Sequence, residues 1–247
     1  MATTTIDVTY QGVVSFTYVD PFIINWVFDV RAAATGDTAV THTSNTQDNS
    51  AVRASLTSGR LGNIGVCART FLFFDDIFAS IGYGTVTAAT LKVYNGGSAT
   101  STQTIVVESY AWGSNGSSST LVDTDYSELN RYGTGTYSSV KTSWSGSNYN
   151  DFVLDASCIA DINGYGYLNC AITEYDYDHL GYDPPTGTIF NAPIEFLDPT
   201  NKIKLEITYT PGGYPNKVIG VAGASIATVD GIGTVLSIPQ LSKVIGV

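Results

Sequence analysis

The segment NKIKLEITYT, residues 201–210, constrains the fold more than any other stretch of the chain. Four apolar side chains fall on one face of an extended backbone, namely Ile203, Leu205, Ile207 and Tyr209. The intervening positions hold lysine, glutamate and threonine, and a Pro-Gly-Gly sequence follows. This period-two alternation predicts a strand with one face on a core and the other in water, ended by a turn.

Further segments carry strand patterns. Residues 4–10 alternate in the same way, and RTFLFFDD at 69–76 is apolar on both faces, which predicts a central strand covered on each side. The segments 87–95 and 102–110 predict a hairpin, because glycines lie between them. Residues 151–163 predict a strand that runs into a helical turn.

Composition supports an all-β chain. Only 13% of the 247 residues are charged, and threonine, serine, glycine and 16 tyrosines take their place. The net charge of -11 argues against a nucleic-acid backbone or an anionic membrane as partner, because both attract basic surfaces. The N-terminus shows no signal-peptide pattern, and no apolar run is long enough to span a membrane.

Together, about nine strand segments with short turns predict an all-β fold, a jelly-roll-like β-sandwich. The composition divides the chain into three regions. Residues 1–30 form an N-terminal strand region, 31–211 the sandwich, and 212–247 an extended tail rich in glycine, valine and isoleucine.

Several blocks occur in a familiar order. They are the Arg69–Asp75 block, TAATLKVY at 87–94, Trp112, the Phe152–Asn163 block, and KIKLEITYTP at 202–211. This arrangement resembles DNRLRE-type and related carbohydrate-binding-module-like jelly-roll domains. The resemblance implies a jelly roll of the kind found in adhesins, cell-wall proteins and virion proteins. It carries over no binding residue, since the matching positions are core and turn residues.

The chain offers little for catalysis. Its two histidines, His42 and His179, lie in polar stretches without a nucleophile elbow, and zinc-protease and phosphate-loop patterns are absent. Both are interpreted as surface residues. The three cysteines have no metal-ligand spacing and are interpreted as free structural thiols. We therefore expect a protein that is not an enzyme and needs no cofactor.

An acidic run offers one candidate metal site. Glu174, Asp176 and Asp178 would project to one face of a strand, where three close negative charges favour a bridging cation. Calcium is the candidate ion, although the spacing is not that of an EF-hand. The alternative is a solvated acidic edge that discourages aggregation of sheets.

A loop-rich region offers a candidate sugar-binding platform. Its aromatic side chains are Tyr132, Tyr137, Trp144 and Tyr149. Flat aromatic rings of this kind stack on the faces of sugars. The alternative is that these rings cover the edges and ends of the sandwich.

The segment from Pro211 onward differs from the rest. The pentapeptide KVIGV begins at Lys217 and again at Lys243, and the intervening sequence is small and apolar. Tails of this repetitive type resemble those on structural proteins of tailed phages. The predicted assembly interface comprises Val218, Ile219, Val221, Ile226, Val235, Ile238, Val244, Ile245 and Val247.

The sequence thus leads to a functional hypothesis. It predicts a non-enzymatic structural protein of a phage virion, made in the host cytoplasm, such as a capsid decoration protein, a neck or tail component, or a fibre. The expected partners are further copies of the chain and other virion proteins. The alternative is a carbohydrate-binding adhesin that recognises host-surface glycans.

Overall fold

A computed structural model describes residues 1–20, 33, 35–41, 46–59, 62–95, 104–110, 121–126, 135–145, 148–196 and 199–212. Among the described residues, helix α1 spans Ile77–Ser80, helix α2 spans Ala156–Tyr165, and a π-helical turn spans Tyr175–His179. The strands are β1 (Ala2–Asp7), β2 (Tyr10–Asp20), β3 (Thr38–Thr41), β4 (Thr46–Gly59), β5 (Gly62–Phe74), β6 (Thr85–Tyr94), β7 (Ile105–Ser109), β8 (Tyr149–Val153), β9 (Leu168–Glu174), β10 (Thr188–Phe196) and β11 (Lys204–Thr210).

Four strands form the smaller antiparallel sheet, in the order β1-β11-β6-β8. Its pairing joins the two ends of the described chain, since Ala2 lies opposite Tyr209. The alternating pattern of residues 201–210 is confirmed: Ile203, Leu205 and Ile207 are fully buried, and the lysines and glutamate between them are not. One face of β11 therefore packs on the core.

Seven strands form the larger sheet. One path runs β10-β4-β5-β2-β3, and β9 and β7 extend the sheet on the same side of β5 as β4. The long β5 makes this possible, because it pairs with β4 through residues 62–68 and with β9 through residues 70–74. Gly12 on β2 permits the close approach of β3, since a Cβ there would lie 2.1 Å from the Val40 carbonyl oxygen.

The predicted hairpin of residues 87–95 and 102–110 is wrong. β6 belongs to the smaller sheet and β7 to the larger one. Both edges of β6 are occupied, by β11 on one side and β8 on the other, so no edge remains for β7. β6 and β7 are therefore not the two strands of one hairpin, although they are consecutive among the described strands.

The prediction of an all-β sandwich is confirmed. Apolar side chains from both sheets form one buried cluster, which includes Leu91 and Leu205 from the smaller sheet and Leu72 and Ile172 from the larger. Residues 67–74 of β5 are buried at every position, as expected for a central strand covered on both faces. Cys67, Cys158 and Cys170 are free and buried within the fold.

The N-terminal strands are built into the sandwich. β1 pairs with β11 in one sheet, and β2 pairs with β5 along eleven positions in the other. The predicted strand and helical turn of residues 151–163 are also confirmed as β8 and α2. Within the described residues, no helix has the length and hydropathy needed to cross a lipid bilayer.

Candidate functional site

A buried ion pair ties the π-helical turn to the middle of the larger sheet. The Arg69 guanidinium donates to both carboxylate oxygens of Asp178, at 2.8 and 2.6 Å, and the Arg69 and Asp178 side chains are 0% and 3% exposed. Arg69 also donates to the Tyr126 carbonyl oxygen and lies 4.0 Å from the centre of the Tyr126 ring. Such bidentate geometry, with further donors satisfied, is what a buried charge requires.

The acidic run does not form the predicted strand face. β9 ends at Glu174, and residues 175–179 wind into the π-helical turn. Asp178 is neutralised by Arg69, and Glu174 begins the turn by accepting hydrogen bonds from the Tyr177 and Asp178 backbone amides at 2.5 and 3.3 Å. Among the described residues, no group of three or more acidic, histidine or cysteine side chains is placed to hold a metal ion.

Two carboxylates of this run share one hydroxyl group. The Thr104 hydroxyl oxygen lies 2.7 Å from Glu174 Oε1 and 2.6 Å from Asp176 Oδ2, but it has a single proton to donate. Burial raises the pKa of Glu174 to about 7, against the opposing effect of its hydrogen bonds. A protonated Glu174 can donate to Thr104, which then donates to Asp176. The cluster can therefore hold one shared proton below about pH 7.

His179 is held by an adjacent carboxylate. Its Nδ1 lies 3.1 Å from Glu108 Oε1, an oxygen that also accepts a hydrogen bond from the Thr173 hydroxyl. The imidazole stacks on the Tyr175 ring, with ring centres 5.2 Å apart. The sequence interpretation of His179 as a surface residue is therefore incomplete, since its side chain is only 21% exposed and fixed in orientation.

The three described residues of the predicted aromatic platform are each engaged in other contacts. Trp144 is half-buried beside Phe152 and donates to the Pro193 carbonyl oxygen at 3.3 Å. Tyr149 packs against the Tyr94 ring and donates to the Lys202 carbonyl oxygen at 3.2 Å. Tyr137 is buried at another place, and Tyr132 lies outside the described residues.

Tyr137 instead lines a cavity of about 320 Å³ at the end of β7 and the start of β9. Four tyrosines surround this tyrosine-lined cavity. Its described lining consists of Ser109, Tyr110, Tyr137, Asp161, Tyr165, Tyr167, Leu168 and Asn169. A concave site with aromatic walls and a few polar groups is the usual form of a small-molecule site.

The end of α2 places two of these rings. Gly166 adopts a left-handed conformation (φ 76°) and its amide donates to the Ile162 carbonyl oxygen at 2.9 Å, which ends the helix. A Cβ at this position would lie 2.4 Å from the Phe78 ring, so a larger residue does not fit. The resulting reversal stacks Tyr165 on Tyr167, with ring centres 5.6 Å apart.

Tyr137 is fixed from three directions. Its amide donates to the Val107 carbonyl oxygen of β7 at 2.7 Å, and its carbonyl oxygen accepts from the Asp155 amide at 2.7 Å. Its hydroxyl donates to Asp161 on α2. Burial, and next the hydrogen bond to Asp161, raise the pKa of Tyr137 far above that of an ordinary tyrosine, so its hydroxyl stays protonated. The side chain is therefore a rigid part of the cavity wall.

Asn169 has an unsatisfied polar atom. The residue is 8% exposed and lines the cavity, and its Oδ1 has no hydrogen-bond partner within the described part of the chain. Sequence reasoning found Tyr137 but missed the rest of this lining. The one available signal was the tyrosine-glycine alternation GYGY at 164–167, which the helix end turns into a ring pair.

The residues of the predicted assembly interface, Val218 to Val247, lie outside the described residues. No protein-family model matches the chain, and no curated protein matches its sequence.

Proposed function

We propose that this protein is a non-enzymatic structural component of a virion, and that it assembles through its tail, residues 212–247. The phage setting rests on the likeness of the KVIGV-containing tail to tails of phage structural proteins. Within a particle, the roles that suit such a chain are capsid decoration, a neck or tail component, or a fibre. Its partners are then further copies of itself and other virion proteins.

One observation carries the assembly role. β11 lies between β1 and β6, so the smaller sheet has its central strand in place when the chain reaches Thr210. Pro211 and Gly212 then leave the sheet beside the turn at Tyr83, where a Cβ on Gly212 would lie 2.4 Å from the Tyr83 carbonyl oxygen. The valine- and isoleucine-rich segment therefore follows a sandwich whose described core residues all precede it in the chain.

An apolar segment of this type is favourable in water only when it is covered. Two kinds of surface can cover it in an assembly, namely apolar patches of a neighbouring subunit and the open edge of a sheet. β1 supplies such an edge close to the exit of the tail. It has a strand partner only in β11 among the described residues, and its Ala2 end lies beside Tyr209.

The test is a truncation after Gly212, which keeps the close contact at Tyr83. We expect the truncated protein to remain folded, with a thermal midpoint within a few degrees of the full chain, and to sediment as a monomer. Mixed with assembling particles, it should fail to be incorporated. A truncated protein that assembles normally contradicts the proposal.

A set of substitutions sharpens the same test. Replacing Val218, Ile219 and Val221 by serine removes apolar surface while keeping the length of the tail. The matched control replaces the tail residues Ser225, Thr228 and Ser237 by alanine. The first variant should lose assembly as the truncation does, and the second should retain it. Equal behaviour of both variants counts against an apolar interface.

A further inference from the structure

We infer that the tyrosine-lined cavity binds a protonated amine, an alkylammonium group that carries at least one N–H and a short apolar chain. This inference goes beyond the proposed assembly role and does not depend on it. It rests on the charge of the lining, on the unsatisfied oxygen of Asn169, and on the size of the cavity.

The lining has the charge and the surfaces that attract a cation. Among its eight described residues, Asp161 is the only one with a charge. Four of the eight are tyrosines, and the negative faces of such rings attract ammonium groups. The net charge of -11 adds a field that draws cations toward the protein.

Asn169 distinguishes among cations. Its buried Oδ1 is an acceptor with no donor within the described residues, and a buried acceptor is costly until a donor reaches it. An ammonium with an N–H can donate to the Asp161 carboxylate, and to this oxygen once the Asn169 amide turns toward the cavity. A quaternary ammonium has no N–H, so it can satisfy neither acceptor with a hydrogen bond.

The carboxylate is already oriented for such a ligand. The Tyr137 hydroxyl donates to Asp161 Oδ2, and Tyr137 is itself held by β7 and by the start of α2. Asp161 and Tyr137 therefore need little rearrangement when a cation arrives, which preserves binding energy. The carboxylate and the incoming N–H form a charge-assisted hydrogen bond, which is stronger than a neutral one.

The size of the cavity limits the ligand. A volume of about 320 Å³ is at the lower end of the range for small-molecule sites, roughly 300–1,000 Å³. Tyr165 is 64% exposed, whereas Tyr137 and Asn169 are buried, so Tyr165 marks the open side of the cavity. The ammonium then sits toward Asp161 and Asn169, and the apolar chain lies between the tyrosine rings.

The experiment titrates the full-length protein at pH 7 with n-butylamine, which is protonated there, and follows tyrosine ring signals by NMR. n-Butanol is the neutral match, and tetramethylammonium is the cation without an N–H. We expect saturable binding of n-butylamine, with butanol weaker by about tenfold or more. The affinity for tetramethylammonium should lie between the affinities for n-butylamine and n-butanol. Equal affinities for butylamine and butanol overturn the proposal.

Variants locate the site. Asp161→Asn keeps an acceptor for the Tyr137 hydroxyl but removes the charge, and it should weaken butylamine binding about tenfold. The control, Asp183→Asn, removes one charge from an exposed position outside the cavity lining and should leave binding unchanged. Equal weakening by both variants indicates non-specific attraction and contradicts the site.

A third variant protects the test against misfolding. Tyr165→Leu removes an exposed ring at the open side of the cavity. It should weaken butylamine binding without changing the thermal midpoint. The control is Tyr182→Leu, since Tyr182 is exposed and lies outside the cavity lining. Unchanged binding in Tyr165→Leu counts against the cavity. Methyl glucoside serves as an uncharged polyhydroxylated probe, and saturable binding of it in place of butylamine overturns the assignment of a cation.

Discussion

The two sheets use their residues differently. In the smaller sheet, β11 and β8 alternate between buried and accessible side chains, and the charged residues face water. In the larger sheet, all seven residues of β9 are buried, including the polar Asn169, Thr173 and Glu174. A strand that is covered on both faces must satisfy its polar groups inside the protein. The larger sheet therefore contains the ion pair, the shared proton and one wall of the cavity.

The largest expected difference concerns the two ion pairs. Arg69→Met leaves the buried Asp178 carboxylate without its arginine and should lower the free energy of unfolding by about 3–5 kcal/mol. Lys92→Met removes the exposed pair with Asp151 in the smaller sheet, at 2.8 Å, and should cost less than about 1 kcal/mol. Urea denaturation measures both. Similar losses of unfolding free energy in the two variants contradict the expected difference between the sheets.

The second difference concerns pH. An unfolded glutamate titrates near pH 4.3, roughly, whereas burial raises the pKa of Glu174 to about 7. Between these pH values Glu174 is protonated more often in the folded chain than in the unfolded chain. The contribution of this group to the free energy of unfolding therefore falls as pH rises, and it levels off above pH 7. The fall should reach at most about 4 kcal/mol.

Glu174→Gln should remove this fall, because glutamine resembles the protonated side chain and keeps an acceptor for the Tyr177 amide. The control is Glu206→Gln, on the accessible side of β11, which should keep the pH dependence of the unmodified protein. Denaturation at a series of pH values between 4 and 8 provides the measurement. An unchanged profile in Glu174→Gln excludes Glu174 as its source.

The smallest difference compares two threonines. Thr70 in the larger sheet is buried, and its hydroxyl donates to the Ala51 carbonyl oxygen at 2.7 Å. Thr70→Val should cost about 1 kcal/mol, since one buried hydrogen bond is lost. Thr90→Val, at a half-buried position in the smaller sheet, should change stability by less than about 0.5 kcal/mol. A larger loss at Thr90 reverses the expected order.

The same contrast explains what the sequence could predict. β11 was predictable, because alternation shows directly when one face is in water. β5 was predictable as a fully covered strand, because its four consecutive apolar residues at 71–74 leave no face for solvent. The polar residues of β9 and the turn after it were misread, since a buried carboxylate paired with a distant arginine looks the same in sequence as a solvated one.

Contacts between remote residues account for the other errors. The partner of Asp178 lies 109 positions away, and the hydroxyl that binds Asp161 lies 24 positions away. Whether β6 and β7 pair with each other depends on which strands occupy the edges of β6, and the glycines between them carry no such information. The cavity combines residues 109–110, 137 and 161–169, so no local pattern defines it.

The pairing of β1 with β11 has a consequence for synthesis. β1 has its partner about two hundred residues later in the chain, so during synthesis it waits, with its edges unpaired, until β11 has been made. The larger sheet can begin earlier, since β4 and β5 are neighbours in the chain. The pairing of β1 with β11 closes the longest loop, so it is the slowest of these contacts to form. The smaller sheet is therefore completed last on a growing chain.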